Sequence, residues 1–214
     1  MRVLNNLDEG WLETFRQVMV EWDNGEPDAV SFIVERVNDP QCKAVMGAMI
    51  VCNDDYGNTD WRGINEFVTQ NGYIIYSTAK LNDRFLSGAN NDLRTYVCCH
   101  EIGHGLGLGH TDESVYNSDL GECMDYTVNP GKNKLPGLSN FEALSEMYGT
   151  VETNGLRRNL HPVEPIHNNI DSLGNDDQNW ELVHNSKYAK HYELDLGDDM
   201  KAHRHYSLHT THES

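Results

Sequence analysis

Apolar residues at Trp11, Leu12, Phe15, Val18, Met19 and Trp22 recur at intervals of three and four, the period of one helical face. Asp23-Asn24-Gly25-Glu26-Pro27 ends that predicted helix with turn chemistry. The period then changes. Ala29 to Val37 is rich in β-forming residues and reads as a strand closed by Asn38-Asp39-Pro40. Ala44 to Cys52 is a continuous apolar run, as expected of a strand covered on both faces. Trp61 to Val68 mixes polar with apolar positions and reads as an exposed edge strand. Gly72 to Ser77 is a further strand, running on towards Lys80-Leu81-Asn82. Asn90-Asn91-Asp92 predicts the cap of a second helix that carries Tyr96 to Leu106. Ser139 to Tyr148 predicts a last helix, stopped by Gly149. At the start, Arg2-Val3-Leu4-Asn5 reads as the end of a strand whose beginning is missing.

The second helix holds the most informative residues of the chain. His100-Glu101-Ile102-Gly103-His104-Gly105-Leu106-Gly107-Leu108-Gly109-His110 spells H-E-x-x-H-x-x-G-x-x-H without a gap. Four residues apart on a helix, His100 and His104 rise one above the other on a single face. Both can then meet one metal ion at ~2.0–2.1 Å. Glu101 is rotated ~100° from the first ligand, which suits a carboxylate that holds a water without binding the metal. Gly107 lies where the chain must leave the helix and double back, and glycine is free to take the positive φ of such a turn. His110 becomes the third ligand. Three protein ligands leave one position open, as a catalytic zinc requires.

A second signal follows in Gly121-Glu122-Cys123-Met124-Asp125-Tyr126. With it the chain resembles the metzincin clan of zinc peptidases, whose zinc helix is followed by a tight turn with a methionine beneath the metal. Met124 matches that methionine. Tyr126 matches the tyrosine that some metzincin families place beside the zinc as an extra ligand or oxyanion donor. The resemblance covers about residues 2 to 150 and is closest to small secreted peptidases of microbes and fungi. Val51-Cys52-Asn53 before Tyr56-Gly57, and Trp61 two residues before Gly63, belong to that match. Thr111 departs from it, since the best-known families carry Asp, Ser, Glu or Pro after the third histidine. The resemblance implies an α+β zincin fold: a twisted, mostly parallel five-stranded sheet with one antiparallel edge strand, an active-site helix, a Met-turn and a C-terminal helix.

The implied chemistry is endoproteolysis. Zinc on His100, His104 and His110 would acidify its water, with Glu101 as general base and Tyr126 donating to the oxyanion. A protein or peptide substrate would lie along the edge strand at Gly63, Ile64, Asn65 and Glu66, adding a strand through main-chain hydrogen bonds. The loop from Thr127 to Gly137 would line the pocket beyond the scissile bond. A zinc-loaded but catalytically inactive interaction module is the alternative, and a zinc that only supports folding is a third reading.

Five cysteines bear on compartment. A bond from the zinc helix to Cys123 would clamp the Met-turn. Adjacent helical residues point ~100° apart, so only one of Cys98 and Cys99 can face that partner. The chosen pairing is Cys42–Cys52 with Cys99–Cys123, leaving Cys98 a buried thiol; reduced thiols throughout are the alternative. The 16 basic and 34 acidic side chains give a net charge of −18. Such a surface repels phosphate backbones and anionic lipids, so the expectation is no nucleic-acid and no membrane partner, and a monomer. Calcium on the acidic loops is a further candidate. No signal peptide is visible after Met1. The chain therefore reads as a partial or processed form of a secreted protein.

From Val151 the character changes. Residues 151–214 hold eight of the eleven histidines and few apolar clusters. They read as an extension to a catalytic domain of residues 1–150, loosely docked or partly disordered. Trp180–His184 and Tyr192–Gly197 are candidates for a small β-unit.

Overall fold

The computed structural model describes residues 1–115, 117–150 and 179–209. Its helices are α1 (Leu12–Asp23), the single turn α2 (Asp83–Leu86), α3 (Asn91–Gly105) and α4 (Leu138–Tyr148). The strands are β1 (Arg2–Asn6), β2 (Ile33–Arg36), β3 (Ala48–Asp54), β4 (Trp61–Gln70), β5 (Tyr73–Asn82), β6 (Glu181–Asn185), β7 (Ala189–Gly197) and β8 (Met200–Leu208). All eight join one mixed sheet in the order β2-β1-β3-β5-β4-β8-β7-β6.

This sheet corrects the expected fold class. The five-stranded sheet with an antiparallel edge strand is not what the chain forms. The pairs β2–β1, β1–β3 and β3–β5 are parallel, and every pair from β5 to β6 is antiparallel. The physical reason is β8. A strand with one unpaired side presents a row of free N–H and C=O groups, and β8 pairs with that side of β4 along nearly its whole length. Gly63, Ile64, Asn65 and Glu66, expected on an open edge, are therefore interior. They pair with Leu81, Lys80, Ala79 and Thr78 of β5, and with Ser207, Tyr206, His205 and Arg204 of β8.

Turn chemistry fixes these pairings. β4 and β5 are joined by Asn71-Gly72, both at positive φ (51° and 79°), the combination a tight hairpin of matching twist requires. β7 and β8 are joined at Asp198-Asp199, also both at positive φ (52° and 57°). Elsewhere strands are shorter than their apolar runs. β3 begins at Ala48 because Gly47, at φ 73°, ends a turn closed by the Ala48 N–H to the Val45 carbonyl. β2 shrinks to four exposed residues because its one partner, β1, has only five.

The main core lies between one sheet face and the helices. Val3, Met49, Val51, Ala79 and Leu81 point from the sheet, and Phe15, Val18, Trp22, Val97, Ile102 and Leu144 come from the helices. Fully burying an aliphatic or aromatic side chain of this kind contributes ~1.5–3 kcal/mol, so this cluster is the main source of stability. On the opposite face a smaller cluster forms around Leu4, Ile50 and the Cys42–Cys52 disulfide.

The second disulfide is Cys99–Cys123, tying α3 to the segment 24 residues on, and Cys98 is a free, buried thiol. Burial pushes the Cys98 pKa up to about 12, so it is an inert packing group. Closing a loop of that length is expected to stabilise the fold by about 3–4 kcal/mol on the chain-entropy account. Replacing Cys99 and Cys123 by Ser should lower the urea midpoint accordingly, and an unchanged midpoint would show that the loop is held by other contacts. The two disulfides fit an oxidising, extracellular setting. Among the described residues no helix is long and apolar enough to cross a membrane.

Candidate metal centre

Helix α3 starts where the sequence predicts: Asn90 caps it, its Oδ1 accepting from the Leu93 N–H at 2.9 Å. It ends in a Schellman motif. The Leu108 N–H donates to the Gly103 carbonyl and the Gly107 N–H to that of His104, with Gly107 at φ 94°. This reversal brings His110 back against the helix. His100 and His104 are 1 % exposed, and the ring of His110 is nearly as buried.

The three imidazoles converge. His100 Nε2 lies 3.0 Å from His104 Nε2, which lies 3.1 Å from His110 Nε2. A tetrahedral ion with ligands at ~2.0–2.1 Å separates its donor atoms by ~3.3–3.4 Å, close to this spacing. The other nitrogens settle the tautomers. His100 Nδ1 lies 2.7 Å from the Cys123 carbonyl and His104 Nδ1 2.9 Å from the Leu108 carbonyl. Carbonyls only accept, so both Nδ1 atoms carry the proton and both Nε2 atoms offer bare lone pairs. Burial lowers the His100 pKa to about 4 and takes His104 and His110 well below the usual imidazole range, so the rings are neutral. Bare lone pairs this close repel in a buried site unless a cation lies between them. The donor set fits zinc, and His100, His104 and His110 could hold it.

Glu101, the residue after the first of these histidines, is fully buried. Its Oε1 accepts a hydrogen bond from the Ser207 hydroxyl of β8, while its Oε2 has no partner among the described residues. Burial pushes its pKa up to about 8, with the Ser207 bond acting the other way. A nearby cation would favour the ionised form. Gly63 allows β4 to pass close: a Cβ there would stand 2.5 Å from Glu101 Oε1. Asn65 Nδ2 donates to the Glu101 carbonyl at 2.8 Å and fixes the helix against the strand.

Met124 is fully buried beneath α3, its sulfur against the spot where a Cβ on Gly103 would stand. Its turn is held by the Asp125 N–H to the Glu122 carbonyl, and by the Thr111 N–H to the Met124 carbonyl at 2.9 Å. Tyr126 follows directly, its hydroxyl 2.9 Å from both ring nitrogens of His110. Burial raises the Tyr126 pKa strongly, so the phenol is neutral and able to donate.

Two residues at the site were missed in the sequence. Ser207 touches Glu101, and the His205 ring stacks on His104 with centroids 4.1 Å apart. The usable signal was period-two alternation in Met200–Leu208, preceded by Gly197-Asp198-Asp199. Among the described residues, both groups that bring three potential ligands together contain imidazoles. An all-oxygen cradle of the kind calcium takes is not among them. Neither the models of known protein families nor the curated proteins give a match to this chain.

Proposed function

We propose that the chain is a secreted zinc endopeptidase of metzincin type, with His100, His104 and His110 as ligands and Glu101 as general base. The observation that supports it best is the meeting of three buried imidazole Nε2 atoms, with Glu101, the residue after the first of them, a buried carboxylate that has one oxygen without a partner among the described residues. Zinc held there would acidify a water towards a pKa of ~7 and polarise a peptide carbonyl. Glu101 takes the proton of the attacking water and delivers it to the leaving amine. The Tyr126 hydroxyl donates to the oxyanion as it forms. Tyr126→Phe is expected to lower kcat by ~10–10³-fold while zinc content stays constant. An unchanged kcat would leave Tyr126 a packing residue.

Strand β8 bears on access. It runs antiparallel along β4, in the place proposed for a peptide, and its Ser207 occupies one oxygen of Glu101. Glu66 anchors it, accepting from Arg204 at 2.7 Å and from Lys80 at 3.0 Å. Burial alone would raise the Glu66 pKa, yet Lys80 and Arg204 bring it below its usual value. Arg204→Glu places two carboxylates together and should loosen β8, raising kcat/KM on a peptide by ~10-fold or more. No rise would mean that peptides do not compete with β8.

The direct test is hydrolysis of casein by the zinc-loaded chain, abolished by a chelator and restored by zinc. One observation favours a second reading, a zinc-loaded interaction module without turnover: β8 already fills the β4 edge. If neither the parent chain nor Arg204→Glu cleaves casein, that second reading replaces the first.

A further inference from the structure

The hairpin that covers β4 carries chemistry of its own. In the β7–β8 ladder Glu193 pairs with His203 and His191 with His205. Side chains on a strand alternate between faces, so His191, Glu193, His203 and His205 all stand on the face turned towards α3. Three of them bring ligand atoms together. His203 Nδ1 lies 3.4 Å from His191 Nε2 and 3.5 Å from Glu193 Oε1, and His191 Nε2 lies 3.9 Å from Glu193 Oε1. We propose that His191, Glu193 and His203 form a second metal site, for zinc or a similar borderline divalent cation.

The spacing carries the argument. Two of the separations match the ~3.3–3.4 Å edges of a tetrahedral zinc, and a small movement of Glu193 closes the third. Two imidazoles and one carboxylate select zinc, nickel or copper over calcium or magnesium. The rings are held in place by stacking: His203 lies on Phe67 at 4.5 Å between centroids, and His191 on His205 at 3.8 Å. The three side chains are 13–29 % exposed, so an ion can reach them from solvent. One competitor faces the group, Lys201 Nζ at 3.4 Å from Glu193 Oε2, and it leaves Oε1 to the metal. An ion here would bridge β7 to β8 and stiffen the hairpin that lies over the first site. The site does not depend on peptidase activity.

The test is zinc binding to the full chain by isothermal titration, with the metal alone as probe. The parent chain should take up two equivalents and His203→Ala one. Glu193→Gln keeps the shape of the side chain, so it separates loss of a ligand from loss of the hairpin. It should weaken the second equivalent by more than the ~10–100-fold typical of residues that only support a ligand. His104→Ala should remove the other equivalent and leave this one. A parent chain whose zinc uptake is unchanged by His203→Ala, or a Glu193→Gln variant that binds as tightly as the parent, would overturn the proposal.

Discussion

Glu101→Gln is expected to lower kcat on a peptide by ~10²–10⁴-fold, the range a positioned general base contributes. The amide is nearly isosteric with the carboxylate and can still accept from Ser207 through its oxygen. It removes a buried ionisable group, so the fold should not suffer and the melting temperature should not fall. The three imidazoles are untouched, and zinc content should equal that of the parent. This combination separates the role of base from any structural one. Undiminished turnover would assign proton transfer to another group.

The second large effect is expected from His104→Ala. His104 is the middle donor, within 3.1 Å of both other Nε2 atoms. Its loss leaves two ligands and should abolish both tight binding and turnover. The cost to stability should be smaller than for an ordinary core residue, because the bare lone pairs that face one another in the metal-free chain are reduced by one. His205, stacked on the His104 ring, would lose that contact but keep its stacking on His191 and its place in the β4–β8 ladder. Retained hydrolysis with a chelator-sensitive ion would mean that His104 is not a ligand.

The helices were legible because each carries its own local signals. The stripe from Trp11 to Trp22 gives α1, and the Asn90 cap with the Gly107 exit brackets α3. The zinc motif was equally local. His100, His104 and His110 sit on one helix and its immediate reversal, so spacing alone predicts that they meet. Helical geometry allowed only one of Cys98 and Cys99 to face Cys123 without saying which, and the bond is made by Cys99.

The sheet was not legible in the same way, and the reason is range. Whether β4 is an edge or an interior strand depends on residues some 140 positions later, where Arg204 meets Glu66 and Ser207 meets Gly63. Nothing within Trp61–Gln70 encodes that partner. Its mixed pattern, Gly63 and Asn65 towards α3 with Ile64 and Glu66 away, fits either situation. The histidines of the extension pose the same problem of range. Their spacing along the chain is irregular, yet a hairpin places His191 beside His205 and His203 opposite Glu193. Cross-strand order, not linear order, gathers them. Of the extension, expected to be loosely docked or partly disordered, residues 151–178 and 210–214 lie outside the described residues.

The central claim is that one ion is held by His100, His104 and His110. It is tested most directly by the zinc content per chain of the parent and of His104→Ala, after equilibration against the same zinc buffer. Ions held elsewhere, at His191, Glu193 and His203 included, contribute equally to both. The variant is expected to hold one equivalent less. Equal zinc in the two proteins would contradict it.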